Sequence, residues 1–254
     1  MNIAPLVSSI IPTKNRLDKA HDAIRSVLNQ SYKNIEIILI DDGSTPQFEL
    51  SDDLKADQRI IVIRVDVSVG GAKARNIGID QAKGSFFCFL DDDDVYLPNK
   101  LSDLTKILIE KPEYDAAIGE CILLDCATGI KSFTPQSAFS PKSNTSKNRV
   151  HTNSTLINSR IKNNIKFNEQ LEKFQDTQFN TDLCYKFNVI YTPTAIALWN
   201  INWSSNQITT KKSIFRNTKN YFRLTRHFIF NSKIPLHFLY WHLYKLASFT
   251  IRLK

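Results

Sequence analysis

Phe86-Phe87-Cys88-Phe89-Leu90 is a short apolar run that stops at Asp91-Asp92-Asp93-Asp94. Apolar side chains at successive positions suit a strand buried on both faces of a sheet. Four adjacent carboxylates repel one another. The end of that strand must therefore open to water or face a hard cation. A strand covered on both faces needs helices above and below it, which points to an α/β fold.

The preceding residues repeat the theme. Leu6 to Ile11 is a second apolar run, closed by Pro12 and followed by the polar loop Thr13-Lys14-Asn15-Arg16. Asp18 reads as the cap of a helix reaching about Gln30, with Ala20, Ile24, Val27 and Leu28 on one face. Ile35 to Ile40 is a strand ending in Asp41-Asp42-Gly43-Ser44, and Ile60 to Val65 is another. Gly70-Gly71 opens a helix that carries Lys73, Arg75 and Asn76. Strand, helix, strand, strand, helix, strand predicts a mostly parallel sheet with helices on both faces. Ligands of such sheets bind beyond the carboxyl ends of the strands, where all three polar clusters fall.

Later elements are read more coarsely. A helix runs from Pro98 to about Glu110, and Asp115 to Leu124 returns to the sheet. Residues 127–149 are rich in Ser, Thr, Asn, Pro and Lys and read as a loop. His151 to Ile157 reads as a strand, Thr177 to Lys186 as a helix, and Val189 to Leu198 as a strand interrupted by Pro193.

Each cluster has a chemistry and a plainer alternative. Mn²⁺ and Mg²⁺ take one or two carboxylates together with substrate phosphates, which suits Asp91 to Asp94; an acidic turn capping the next helix is the alternative. Asp41 and Asp42 can accept hydrogen bonds from a nucleobase or ribose, or can form an Asp-Gly turn. Lys73, Arg75 and Asn76 follow glycines that let backbone approach phosphate, or are surface cations of a helix. Asp176 is a helix cap or a base.

Charge is unevenly distributed. The chain has a net charge of +8, yet residues 211–254 hold ten Lys or Arg and no Asp or Glu, which leaves 23 basic against 25 acidic residues in 1–210. The body therefore has no reason to grip nucleic acid, and the tail suits an anionic surface. The four scattered cysteines have no zinc-site spacing and read as thiols of a reducing compartment. No signal peptide is visible at the start, so a cytoplasmic location is expected.

Taken together these residues resemble glycosyltransferase family 2, of GT-A fold. The matching features are Ser9-Ile10-Ile11-Pro12-Thr13, Glu36 to Ser44, Gly71-Ala72-Lys73-Ala74-Arg75-Asn76-Ile77-Gly78, and Phe89 to Asp94. The match resumes at Phe167-Asn168-Glu169 and Gln175-Asp176-Thr177. The resemblance implies an inverting transfer of sugar from a nucleotide donor, with Mn²⁺ or Mg²⁺. Pro12, Thr13, Asn15, Arg16, Gly71, Lys73, Arg75 and Asn76 would line the donor site. Asp41 or Asp42 would touch the nucleoside, Asp91 or Asp92 the ribose or metal, and Asp93 with Asp91 would ligate the metal. Asp176 would be the general base. Two departures stand out: Gln175 replaces the family's Glu, and no His lies between His151 and His227, where many relatives have one facing the metal.

Residues 1–210 are thus expected to form the transferase domain. Residues 211–254 are expected to form a helical, basic and aromatic tail that meets an anionic membrane surface or packs on the body. The implied acceptor is a glycan or glycolipid of a bacterial surface, handled at the inner face of the plasma membrane. Two rivals are a sugar nucleotidyltransferase, which should carry a glycine-rich loop that Thr13 to Asp18 lacks, and an inactive membrane-bound scaffold of the same fold.

Overall fold

A computed structural model of the chain describes residues 4–126, 128, 129, 131–133, 150–201 and 214–231. The first half runs β1 (Val7–Thr13), α1 (Leu17–Leu28), β2 (Ile35–Asp42), α2 (Asp52–Lys55), β3 (Ile60–Val65), α3 (Gly71–Gln81) and β4 (Phe86–Phe89). It continues through β5 (Val95–Tyr96), α4 (Lys100–Glu110), β6 (Ala116–Asp125), β7 (Lys131–Phe133), β8 (Thr155–Asn158), α5 (Gln175–Lys186), β9 (Val189–Ile201) and α6 (Ile214–Asn231). The strands form one sheet in the order β3-β2-β1-β4-β8-β6-β9-β5, with β7 beside β6.

Period-2 alternation divides the strand side chains between two cores. Ile11, Ile37, Leu39 and Cys88 face α1 and α4, whereas Ile10, Ile38, Ile40, Phe87 and Phe89 face α3 and α5. The helices thus cover both faces, as the apolar strands require.

The sheet is less parallel than the sequence suggests. β3, β2, β1 and β4 pair in parallel, but β8 is antiparallel to both β4 and β6, and β5 is antiparallel to β9. Parallel pairing needs a crossover, usually a helix; in the second half β6 and β9 keep it, with α5 between them in the chain. Three local readings also change. The cap position of α1 is Arg16, and Asp18 sits in its first turn, where a carboxylate favours the helix dipole. His151 stands before a 3₁₀ turn (Thr152–Ser154), and the strand starts only at Thr155. Pro193 does not break β9, because the pairing with β6 shifts register between Ile118 and Cys121 and bulges Thr192 to Thr194 outward.

Close packing of α3 on β1 rests on Gly78. A Cβ there would lie 2.3 Å from Ile10 Cγ2. Gly78→Ala is expected to destabilise the fold by about 1–3 kcal/mol through overpacking. A denaturant midpoint equal to that of the natural chain would contradict this contact.

α6 falls in the stretch assigned to the tail, but one of its faces packs on the body. Leu224 and Phe228 join Leu171 in a small apolar cluster. Residues 232–254, including the apolar stretch from Ile234 to Ile251, lie outside the described residues, as does most of 127–149. Among the described residues no helix is long and apolar enough to cross a membrane.

Candidate active site

β1 and β4 are adjacent and parallel, so the loops after them meet. Thr13 Oγ1 donates to Asp92 (2.8 Å), and Arg16 bridges Asp92 and Asp93 at 2.9 Å each. Burial pushes Asp92 up to about 6, against the pull of Arg16 and Thr13. From α3, the buried Arg75 donates to Asp91 and reaches Gln175 Oε1 at 3.5 Å, with its guanidinium 5.4 Å from the Phe167 ring centroid. Burial pushes Asp91 up, but Arg75 and then His151 outweigh it and leave Asp91 below the usual carboxylate range.

The fourth carboxylate is held from the other half of the sheet. Asp94 accepts from the Asn153 side chain and, at 2.7 Å, from the Asn200 N–H. Asn153 Oδ1 in turn accepts from the Asp91 N–H (3.0 Å), and its carbonyl accepts from the buried Lys100 Nζ (2.7 Å). His151, two residues before Asn153, meets Trp199 of β9 with ring centroids 4.6 Å apart and the planes tilted by 34°. Ligand atoms of Asp91, Asp94 and His151 all lie within 4.8 Å of one another.

That triad fits a divalent cation. Burial and the neighbouring Asp91 and Asp93 push Asp94 well above the usual carboxylate range, and a cation would remove that penalty. Two carboxylates and an imidazole suit Mn²⁺ better than Mg²⁺, which prefers oxygen alone. The sequence pairs Asp93 with Asp91 as ligands, whereas in the geometry Asp94 and His151 join Asp91 and Asp93 meets Arg16. Burial also lowers the His151 pKa, against the pull of Asp91, which favours the neutral, metal-binding imidazole.

Asp176 lies in the first turn of α5. Its charge, after that of Asp91, helps to raise the pKa of Arg75 against the effect of burial. An aromatic cluster sets this approach. Phe89, two residues before Asp91, meets Phe167 and Phe179 edge-on at 5.2 and 5.4 Å, and those two stack at 4.1 Å. Phe179 is one turn along α5 from Asp176, so the cluster ties the two carboxylate-bearing elements together.

A cavity of about 730 Å³ opens onto these groups. Pro12, Thr13, Arg16, Asp42, Gly71 and Arg75 line it, together with Asp91, Asp92, Asp93 and Asp176. Asn15, Asp41, Lys73 and Asn76 do not line it. Asp41 is fully buried and accepts from the Ser44 and Phe48 N–H groups and from Arg64. Asn15 accepts from the Thr45 N–H, and Asn76 exchanges hydrogen bonds with Phe167. Asp41 and Asn76 are buried behind the cavity, whereas Asn15 and Lys73 are exposed. Asp42 does both: it takes the Val69 and Gly70 N–H groups, shaping the entry to α3, and it faces the cavity.

The family model described as Glycosyl transferase family 2 matches residues 8–184. The chain belongs to glycosyltransferase family 2. An Escherichia coli relative, the UDP-Glc:alpha-D-GlcNAc-diphosphoundecaprenol beta-1,3-glucosyltransferase WfaP, is 42% identical over 99 residues, 39% of each chain. The first four curated relatives are matched over 15% to 43% of their own length, so the chain spans less than half of each. Among solved structures, S. aureus TarS with UDP-GlcNAc superposes with a TM-score of 0.74 at 18% identity, covering 96% of this chain and 72% of that one. The mannosyltransferase PcManGT of Pyrobaculum calidifontis, with GDP-Man and Mn²⁺, gives 0.66 at 15% identity, covering 98% and 74%. At such identities these likenesses establish the GT-A fold alone.

For a family 2 glycosyltransferase without a His near residue 200, the structure still brings an imidazole beside that strand end. His151 arrives from the far side of the 127–149 stretch and lies against Trp199, part of the strand end where the sequence pattern looks for a His. No motif flanks His151, so only the chain path brings it in. Lys14, from the polar loop after β1, also lines the cavity, as do Lys173 and Phe174, which carry no sequence signal.

Proposed function

We propose that this protein transfers a hexose or N-acetylhexosamine from a UDP-sugar to an acceptor hydroxyl of a growing bacterial surface glycan, with inversion. The carrying observation is that one cavity collects the acidic strand end, the Arg16 and Arg75 cations and Asp176. Single-displacement inversion needs one base for the acceptor and one device for the departing diphosphate.

Thr13 and Asp42 line the cavity wall and would meet the nucleoside. Arg75 lies among Asp91, Gln175 and Phe167, poised to pair with donor phosphate. Asp91, Asp94 and His151 would hold Mn²⁺ or Mg²⁺, with Asp93 adjacent, and the ion would stabilise the charge on the leaving diphosphate. Asp176 takes the acceptor proton as the acceptor oxygen bonds to the anomeric carbon. The bond from that carbon to the diphosphate breaks with its electron pair leaving on phosphate oxygen.

A panel of nucleotide sugars assayed for nucleotide release with Mn²⁺ tests this reading. Release from a UDP-hexose or UDP-N-acetylhexosamine is expected, stimulated by a glycan acceptor. Release of pyrophosphate from a sugar phosphate and UTP would instead make the protein a nucleotidyltransferase.

The WfaP name describes a diphosphoundecaprenol-linked acceptor, and we extend that acceptor class to this chain. α6 suits such a substrate. Phe222, Ile229 and Phe230 are exposed at 58%, 47% and 74%, and exposed Lys219 and Arg226 lie among them. An apolar and cationic helix face favours an anionic bilayer. Co-sedimentation with phosphatidylglycerol vesicles, weakened in Phe222→Ser/Phe230→Ser, is expected. Equal sedimentation of the double variant would remove this face from the contact.

A further inference from the structure

The segment that leads into α5 is shaped by side chains from α6, fifty residues further along the chain. Asn220 is fully buried, and its Oδ1 accepts from the Glu172 N–H at 2.8 Å and the Lys173 N–H at 3.4 Å. Arg223 Nη1 donates to the Gln170 carbonyl at 2.6 Å. The Phe174 ring meets Tyr221 edge-on at 5.7 Å. Further along α5, His227 pairs with Asp182 at 2.7 Å.

The segment needs this support. Phe174, the residue before α5, has φ +64°. A bulky aromatic residue in the left-handed region is strained and stays there only when its surroundings hold it. Within 168–174 the Leu171 N–H donates to the Asn168 carbonyl (3.0 Å). The Gln175 side chain closes back on Leu171 O at 2.7 Å. Asp176 follows immediately, so the direction of its carboxylate depends on where residues 172–174 lie. A displacement of about 1 Å in a reacting group can cost on the order of 100-fold in rate.

We infer that α6 is a strut for the catalytic base, with Asn220 as the positioning residue that fixes residues 172–174 and through them Asp176. This rests on the reading of Asp176 as the base. A covering helix with no such role would alter stability alone. A strut predicts a loss in turnover with nucleotide binding intact, because Thr13, Arg16 and Asp42 lie on the other half of the sheet.

The test uses the full chain in three variants, Asn220→Ala, Asn220→Asp and Arg223→Ala. Hydrogen exchange is followed on peptides covering 168–178 and, as control, 86–97. Asn220→Ala is expected to speed exchange in 168–178 at least tenfold, to lower kcat by about 10–100-fold, and to leave the Kd for UDP with Mn²⁺ within twofold. Asn220→Asp keeps the acceptor oxygen and should restore both exchange and kcat to within a few-fold. Arg223→Ala, a partly exposed site that should tolerate truncation, is expected to shift both in the same direction by a smaller factor. Exchange is read whether or not a donor is turned over, and unchanged exchange in 168–178 in both alanine variants overturns the strut. So does Asn220→Ala with wild-type kcat while Asp176→Asn is inactive. If Asp176→Asn itself retains full kcat, the base reading fails instead.

Discussion

Asp176→Asn is expected to lower kcat by about 10²–10⁴-fold, the usual worth of a positioned general base. The change removes the proton acceptor and keeps the shape of the side chain. Asp176 is half-buried in the first turn of α5, where it lines the cavity, and the aromatic contacts of Phe179 that anchor the helix lie one turn further on and do not involve the carboxylate. The fold should therefore hold, with a melting temperature near that of the natural chain. UDP binding should also hold, because the acidic strand end and Arg16 are untouched. A loss of rate at constant UDP affinity separates a base from a donor contact. Gln175 sharpens this expectation. It stands where the family carries Glu, and its side chain faces Arg75 Nη1 and Leu171 O. A neutral amide there leaves Asp176 as the carboxylate of the pair.

Asp91→Asn is expected to abolish metal-dependent UDP binding and to lower kcat by more than about 100-fold, since it removes a cation ligand and the partner of Arg75 together. It should also cost stability. Arg75 is 10% exposed and Asp91 21% exposed in their side chains. Breaking a buried pair leaves an uncompensated charge, a penalty of about 3–5 kcal/mol that water at Asp91 reduces. Arg75 retains Asp176 as a second negative neighbour. Its shift toward Asp176 would compete for the base and deepen the loss of rate. A variant with normal Mn²⁺-dependent UDP affinity would contradict the assignment of Asp91.

The parallel half of the fold was legible because its strands are buried on both faces and its helices are amphipathic. Ile10, Ile38 and Phe87 against Ile11, Ile37 and Cys88 report two covered faces directly. Strand ends bearing Thr13, Asp42 and Asp91 could be located from those runs alone. What could not be read was the division of labour within each cluster. Asp41 and Asp42 are adjacent and chemically identical, yet strand pleating turns Asp41 into the wall, where burial raises its pKa but the Ser44 hydroxyl, the Phe48 and Ser44 N–H groups and then Arg64 outweigh it and hold it below the usual carboxylate range. Similarly, Asn76 looks like a phosphate contact beside Arg75, but one step of helix rotation points it at Phe167. His151 was invisible as a site residue because its neighbours in space, Asp91 and Trp199, are tens of residues away in sequence. The packing of α6 was hidden for a different reason: its cations and aromatics suit a surface helix, and only the pairing of Asn220 and His227 with the α5 region reveals the inner face.

Calorimetric titration of UDP into the natural chain, with and without Mn²⁺, tests the central claim most directly. Binding in the presence of Mn²⁺, strongly weakened by a chelator, lost in Asp91→Asn and retained in Asp176→Asn, is the predicted result. UDP binding that is indifferent to both the metal and Asp91, or no binding under either condition, would contradict a diphosphate and metal station at the end of β4.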